Sequence, residues 1–218
     1  MSLSMMFKGF LVSVLLFSGV ARAGDFVVIA DFSSGVDAKG VPKGWQVKEK
    51  SGKADFAVVK EGDRHVFKMK SANTSFSLQK EVNVDLKQYP VLTWKWKVTA
   101  LPAGGHFKKS KTDDEAAQLF LAFSKTKAIV YIWDTTAPKG TLDDAPSPPF
   151  MTIKAVVVES GKAETGKWIT ESRNVYEDYK KFFGKEPPPV VGVRLQINSQ
   201  HTKTSAESFF ADVVFKKQ

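Results

Sequence analysis

The sequence contains no cysteine, and this absence removes several kinds of chemistry at once. Without a thiol, the chain cannot form a disulfide, use a cysteine nucleophile, bind a metal through thiolates or carry a lipid on an N-terminal cysteine. The fold must therefore be stabilised by side-chain packing. An ion held by oxygen ligands would contribute further stability.

Familiar catalytic motifs are missing as well. The sequence has no G-x-S-x-G nucleophile elbow, no H-E-x-x-H metal motif, no phosphate-binding loop and no Rossmann glycine fingerprint. Its three histidines, His65, His106 and His201, are far apart in the sequence, so a histidine-ligated metal or a Ser-His-Asp triad would need the fold to bring them together. The sequence therefore predicts no catalytic residue.

A long apolar run occurs only at the N-terminus. The segment MSLSMMFKGFLVSVLLFSGVARA has a basic residue, an apolar stretch over residues 9–20 and the small-residue motif Ala21-Arg22-Ala23. This pattern is typical of a cleavable signal peptide, because the apolar stretch is shorter than the roughly 20 residues that a membrane helix needs. We expect cleavage after Ala23 and a periplasmic or secreted protein in which residues 24–218 form a single domain. The alternative is an N-terminal membrane anchor.

The charge of the chain is basic. Removal of residues 1–23 takes away Lys8 and Arg22 and no acid, which lowers the formal net charge from +9 to +7. A basic surface favours an anionic partner. Nucleic-acid binding would place basic and exposed aromatic side chains on the same face. In Val91–Val98, VLTWKWKV, alternation puts the tryptophans and the lysines on opposite faces, so we expect no nucleic-acid partner.

The rest of the sequence alternates short apolar segments with turn-forming residues, which predicts an all-β fold: an antiparallel two-sheet β-sandwich with one short helix. Only Val175–Phe183 has helical periodicity, and Gly184 and the prolines after it prevent its continuation. The predicted strands are Phe26–Phe32, Trp45–Glu49, Phe56–Lys60, His65–Lys70, Phe76–Val82, Val91–Val98, Ala117–Ser124, Ala128–Trp133, Thr152–Glu159, Trp168–Asn174, Val190–Asn198 and Ser208–Lys216.

Two predicted loops are long, Pro102–Asp114 and Asp134–Phe150, and long loops on a rigid scaffold often carry function. The first ends in three carboxylates, Asp113, Asp114 and Glu115. A glycosidase needs two carboxyl groups at a defined separation, whereas adjacent residues such as Asp113 and Asp114 point to opposite sides of an extended chain. We therefore expect these two residues to shape the rim of a site rather than to form a catalytic pair.

Residues suited to carbohydrate recognition recur at positions expected to face away from the core. A sugar ring has an apolar face that stacks on an aromatic ring and a hydroxyl rim that bonds planar polar side chains. We predict an aromatic platform with hydrogen-bonding groups around it. The alternative is that the two aromatic residues pack in the core and the charged residues form surface ion pairs. The predicted ligand-binding residues are Trp133, Tyr131, Gln118, Glu171, Arg173 and Gln196.

Several motifs resemble known families. The segments DFSSGVDAKGVPKGW, VDLKQYPVLTWKW and AESFFADVVF are similar to the first, central and last strands of galactose-binding-like jelly rolls of carbohydrate-binding modules. More specifically, the chain resembles a bacterial exported family known only as domain of unknown function 3047. The matching stretches are Trp94-Lys-Trp, the Asp113-Asp114 pair, Tyr131-Ile-Trp133, Glu159-Ser-Gly161, Trp168 with Glu171, Arg173 and Asn174, Asp178-Tyr179 and Phe183-Gly184.

Two positions depart from that family pattern. Gln118 stands where we expect an arginine, and Asn198–Thr202 replaces expected acidic residues. The resemblance implies a jelly-roll fold that binds a glycan or an anionic envelope polymer without catalysis. It also implies a structural calcium ion at Asp31 and Asp212. Two alternatives stay open: a polysaccharide hydrolase or lyase using Glu171 with Asp113 or Asp114, and a structural or partner-binding envelope protein.

Overall fold

The computed structural model describes residues 24–217, and within them the chain forms thirteen strands and one helix. In chain order the elements are β1 (Phe26–Ala30), β2 (Gln46–Ser51), β3 (Asp55–Glu61), β4 (Arg64–Ala72), β5 (Ser75–Val84), β6 (Val91–Ala100), β7 (Ala117–Ala122), β8 (Lys127–Asp134), β9 (Leu142–Asp144), β10 (Thr152–Ser160), β11 (Ile169–Asn174), α1 (Val175–Phe183), β12 (Val190–Asn198) and β13 (Ser205–Lys216). The predicted signal peptide, residues 1–23, lies outside the described residues.

The strands form two sheets that pack against each other. The six-stranded sheet has the order β11-β6-β13-β4-β3, with β1 paired to β13, and the seven-stranded sheet has the order β2-β5-β12-β7-β8-β10-β9. The predicted all-β sandwich with one short helix is confirmed. One pair is not antiparallel, since β10 runs parallel to β8. The chain leaves β8 for the sheet edge, forms β9 there and returns as β10, which is antiparallel to β9.

Large aromatic side chains fill the space between the sheets. On β6, alternation predicts an inward face with both tryptophans, and Trp94 and Trp96 are indeed fully buried. The ring of Trp94 stacks on that of Tyr131 from the opposite sheet at a centroid distance of 5.2 Å, and Trp96 lies 6.0 Å from Trp133. Aromatic pairs of this kind add about 0.5–1.5 kcal/mol beyond the area that they bury. This aromatic stack joins the two sheets.

Strand β8 faces the other way from the prediction. Tyr131 and Trp133 point into the core, and Val130 and Ile132 point to the outer face of the seven-stranded sheet. All four are buried, because Phe107 and other residues outside β8 cover the outer face there. A strand that is apolar on both faces has no alternation that shows which face is inward, and the prediction was wrong for this reason.

The helix has the predicted bounds, and its ends show why. Asn174 caps the N-terminus, with its side-chain oxygen accepting a hydrogen bond from the backbone N–H of Glu177 at 3.1 Å. Gly184 ends the helix with a φ of 67°, and its N–H donates to the carbonyl of Lys180 at 2.9 Å. Tyr179 anchors the helix on the core, 4.6 Å from the ring of Phe123.

One element lies inside a predicted loop. The three residues of β9 form the edge of the seven-stranded sheet, and two of them are aspartates. A short, charged segment carries little strand signal, and it is typical of edges that do not pair with other chains. Over residues 24–217, no helix has both the length and the apolar character that a membrane span requires.

Candidate functional site

Two adjoining cavities lie on the outer face of the seven-stranded sheet, which points away from the six-stranded sheet. Their volumes are about 450 Å³ and about 240 Å³. Phe120, Met151, Ile153 and Arg194 line both cavities, so the two form one continuous depression. We call it the outer groove. The larger cavity alone falls within the roughly 300–1,000 Å³ that is usual for ligand sites.

The larger cavity exists because small residues meet in one row across the sheet. Gly192 of β12 pairs with Ala122 of β7, which pairs with Ala128 of β8. The next row contains Arg194 and Phe120, whose side chains rise beside the gap. Side chains of one face stand side by side at each register position, so three minimal ones in a row leave a hollow. All three line the larger cavity.

A chain of amide side chains crosses the smaller cavity. The Nε2 of Gln196 donates to Oε1 of Gln118 at 3.2 Å, and the Nε2 of Gln118 donates to Oδ1 of Asn198 at 2.5 Å. Asn198 in turn donates through Nδ2 to the carbonyl of Asp113 at 2.6 Å. Because each amide is held by the next, their orientations are fixed. Gln118 and Gln196 are the two predicted ligand-binding residues that line this cavity.

Asp113 and Glu115 place two carboxyl groups at the same cavity. Glu115 is only 3% exposed, and its Oε1 has no hydrogen-bond partner in residues 24–217. Burial raises the pKa of Glu115 well above its ordinary value and that of Asp113 to about 6. The negative charges of Asp113, Asp134 and Asp114 also raise the pKa of Glu115.

The pair of Asp113 and Glu115 was not predicted, although the sequence carries a signal for it. Their spacing of two puts both side chains on the same side of an extended chain, whereas the adjacent Asp113 and Asp114 point to opposite sides. Asp114 does point elsewhere. Its fully buried carboxylate accepts hydrogen bonds from the backbone N–H groups of His201 at 3.3 Å and Thr202 at 2.6 Å, which fixes the turn before β13.

Arg194 stands where the two cavities meet. The centre of its guanidinium lies 3.7 Å from the centroid of the Phe120 ring, a cation–π contact. The buried Nε finds no hydrogen-bond acceptor in the part of the chain that the structure describes. Burial lowers the pKa of Arg194 to about 10, so the group stays charged at neutral pH.

A buried aspartate fixes one wall of the outer groove. Asp134, at the end of β8, is fully buried, and its Oδ2 accepts the backbone N–H of Phe107 at 2.9 Å. Its Oδ1 accepts the N–H groups of Thr136 and Ala137, each at 2.7 Å. Phe107 lines the smaller cavity. One carboxylate therefore ties the loop that carries Phe107 to the sheet.

The predicted aromatic platform is absent from the outer groove. Trp133 and Tyr131 are fully buried between the sheets, so neither ring offers a face to a ligand. Their polar atoms are also engaged, since Trp133 donates through Nε1 to the carbonyl of Gly161 at 3.1 Å and Tyr131 donates to Oδ2 of Asp178 at 2.7 Å. The alternative of core packing describes these two residues correctly.

The remaining predicted ligand residues, Glu171 and Arg173, do not line the groove either. Arg173 forms a two-pronged ion pair with Asp178, with Nε to Oδ2 at 3.0 Å. Glu171 accepts a hydrogen bond from Nε1 of Trp96 at 3.2 Å. Burial and the neighbouring carboxylate of Glu159 raise its pKa to about 7. Asp113 lines the smaller cavity of the outer groove and Glu171 lines neither of its two cavities, which counts against the hydrolase that pairs them.

The calcium site that the resemblance implied has a poor set of ligands. Asp31 directly follows Ala30, which pairs with Val213, the residue after Asp212. However, Asp212 accepts a hydrogen bond from Nζ of Lys95 at 2.9 Å and lies 3.7 Å from Nε of Arg64. Asp31 bonds the backbone N–H of Ser33. Residues 24–217 contain no group of three or more acidic or histidine side chains arranged to hold a metal. Calcium binding stays a prediction, and these ion pairs count against it.

The sequence matches the model of a protein family of unknown function, DUF3047, over residues 43–214. The chain belongs to this family. The resemblance found from the motifs is therefore confirmed, and the matched range of this DUF3047 protein includes every residue that lines the outer groove. No curated protein matches the sequence.

Among solved structures, this DUF3047 chain is similar to the family 11 carbohydrate-binding module of a cellulosomal cellulase of Clostridium thermocellum, with 10% identity, a TM-score of 0.46, and coverage of 89% of this chain and 95% of that one. It is also similar to an endoglucanase of Rhodothermus marinus, with 10% identity, a TM-score of 0.48, and coverage of 83% of this chain and 96% of that one. A third similar structure is the xyloglucanase domain of the effector NopAA of Sinorhizobium fredii, with 11% identity, a TM-score of 0.47, and coverage of 80% of this chain and 94% of that one. These TM-scores are below 0.5, and no functional residue is transferred from the three proteins.

Proposed function

We propose that this chain binds a carbohydrate in the outer groove and that binding, not catalysis, is its function. The observation that supports the proposal most strongly is the groove itself: two adjoining cavities with apolar side chains and a fixed row of amides. An open groove of this form suits a chain-like ligand better than a compact one. In keeping with the predicted signal peptide, the ligand is a polysaccharide of the cell envelope or its surroundings.

The polar side of the groove suits a ligand with many hydroxyl groups. An amide offers both a donor and an acceptor in one plane, which matches two neighbouring hydroxyls of a sugar ring. Gln118, Gln196 and Asn198 supply this pattern at the smaller cavity, and Gln46 and Gln79, which pair across β2 and β5, supply it at the larger one. Because the amide row of the smaller cavity is bonded together, little ordering accompanies binding there.

The apolar side of the groove suits the carbon face of the same ligand. The hollow at Gly192, Ala122 and Ala128 exposes backbone and methyl groups. Met151 and Phe120 border it. A sugar ring buries its C–H groups against such surfaces while its hydroxyls remain at the polar rim. The groove therefore supplies both kinds of contact without the platform that the sequence suggested.

Filling the hollow tests the proposal. Gly192 has no positive φ, and a Cβ there would meet Ala122 Cβ at 3.5 Å, an ordinary contact. Gly192→Val should therefore fold while occupying the cavity. The experiment is a glycan array with the chain lacking residues 1–23, followed by calorimetric titration of each glycan that binds. We expect at least a ~10-fold loss of affinity for Gly192→Val, the equivalent of ~1.4 kcal/mol.

The matched control is Ser172→Val, which adds a similar side chain at an exposed position of β11 in the other sheet. It should bind like the unmodified chain. Binding that survives Gly192→Val unchanged would show that the ligand does not use the groove. The absence of binding to every glycan on the array would overturn the proposal as a whole.

One observation favours a second candidate, a glycan hydrolase. Asp113 and Glu115 line the same cavity, and burial raises the pKa of both, as hydrolysis requires of its general acid. Release of reducing ends from a bound polysaccharide would identify it. Glu115→Gln and Asp113→Asn should each abolish that release and leave binding largely intact, because both substitutions keep the shape of the side chain. Binding without any release leaves the first candidate standing alone.

A further inference from the structure

Arg194 is an unusual residue for the floor of a groove that binds neutral sugars. Its guanidinium carries a full positive charge, yet no carboxylate forms an ion pair with it among residues 24–217. Acidic side chains are present nearby. Glu81 lines the larger cavity, and Asp113 and Glu115 line the smaller one. None of the three compensates the charge, so burial is the sole cause of its lowered pKa.

The position of the guanidinium is fixed by packing. Arg194 pairs with Phe120 on one side and with Gln79 on the other, and its planar group lies on the Phe120 ring. A guanidinium stacked on an aromatic ring keeps its edge free, and that edge carries N–H donors in a fixed fork. The buried Nε, which lacks an acceptor, belongs to this fork.

A charged donor with no partner in a partly desolvated site is costly unless a ligand satisfies it. The group that matches a planar fork of donors is a planar or tetrahedral anion: a carboxylate, a sulfate or a phosphate. A lysine side chain lines the groove as well, Lys50 at the smaller cavity. It adds positive potential on that side of Arg194.

We propose that the outer groove recognises an acidic glycan and that Arg194 binds the anionic group of its sugar ring. This inference rests on the proposed carbohydrate binding and adds to it the class of ligand. The hollow beside Arg194 holds the ring, the amides bond its hydroxyls, and the guanidinium bonds the anion. A sugar acid such as a uronic acid presents all three features.

The experiment compares ligands that differ only in charge. The probes are a galacturonic acid trisaccharide, the same trisaccharide with its carboxyl groups methyl-esterified, and a sulfated galactose trisaccharide, each titrated calorimetrically. We expect the acid to bind about 10- to 100-fold more tightly than the ester, the range for a hydrogen-bonded charge pair. The sulfated probe separates the two sources of negative charge, because a preference for it over the carboxylate would assign the sulfate.

The variants locate the effect. Arg194→Gln should lose that advantage, so that the acid and the ester bind it about equally, whereas Lys60→Gln, which removes one exposed charge from β3 in the other sheet, should keep the preference of the unmodified chain. Arg194→Lys keeps the charge but not the fork, so it should retain only part of the preference. If Arg194→Gln proves unfolded by circular dichroism, the Arg194→Lys comparison decides.

Equal affinity of the unmodified chain for the acid and the ester would overturn the inference while leaving carbohydrate binding intact. An undiminished preference for the acid in Arg194→Gln would also overturn it, since another residue would then bind the anionic group. Failure to bind these probes or any glycan on an array would contradict the proposed function itself.

Discussion

Glu171 and Glu159 bring two carboxyl groups together at the margin of the sandwich, and their titration makes stability depend on pH. Burial and the charge of Glu159 raise the pKa of Glu171 from 4.5 to about 7. The folded state therefore binds a proton more tightly than the unfolded state does. The contribution of Glu171 to stability is greatest below pH 4.5, falls as the pH rises towards about 7, and then stays at the lower value.

The size of this effect follows from the same interval. At ~1.4 kcal/mol for each pKa unit, the change in the pKa of Glu171 from 4.5 to about 7 limits the loss of folding stability to about 3 kcal/mol. Glu171 is only partly buried, and solvent screens its interaction with Glu159, which reduces the expected effect to about 1–2 kcal/mol. The pKa of about 7 already includes the opposing attraction of Lys139, which pairs with Glu159.

Glu171→Gln isolates this contribution. Glutamine still accepts the hydrogen bond from Nε1 of Trp96 but does not ionise. The measurement is the free energy of unfolding in urea at pH 5 and at pH 8. From the lower to the higher pH, the value for the variant should rise by about 1–2 kcal/mol relative to the value for the unmodified chain. The exposed Glu81→Gln is the control and should show no such gain. An equal difference at both pH values, or a loss at pH 8, would refute the reasoning.

Three further substitutions test the structural assignments. Trp133→Ala should lower the free energy of unfolding by about 3–5 kcal/mol, since it empties a fully buried site. A loss below ~1 kcal/mol would contradict the burial of Trp133. Asp114→Ala should cost about 1.5–3 kcal/mol, because it removes a charged acceptor from buried N–H groups at His201 and Thr202. Gly184→Ala should cost about 1 kcal/mol at a φ of 67°, and an unchanged urea midpoint would contradict the left-handed cap.

Much of the fold was predictable because local patterns agreed with the tertiary structure. Val175–Phe183 had a cap, helical periodicity and a terminating glycine, and its bounds are the predicted ones. The strand VLTWKWKV alternated cleanly, and its tryptophan face is the buried one. The pattern of β8 was ambiguous because other parts of the chain cover its outer face. That cover is a tertiary feature, and no local pattern shows it.

The candidate site was predictable only in part. Gln118 and Gln196 were chosen for facing away from the core, and they meet in the groove. The hollow depends on Gly192 lying in one row with two alanines from separate strands, a coincidence of register that single segments do not reveal. Arg194 lies two residues before Gln196, so strand alternation places it on the same face. Its lack of a partner depends on every neighbouring strand, so only the structure shows it.

Asp134 accepts hydrogen bonds from three backbone N–H groups, and these bonds affect how a ligand would bind. They attach the loop bearing Phe107 to the end of β8, so that this wall moves with the sheet rather than apart from it. The opposite part of the groove is the sheet itself. The groove therefore has its shape before a ligand binds. Association would be governed by the expulsion of water and by the ligand's own loss of conformational freedom, and not by a closing movement of the protein.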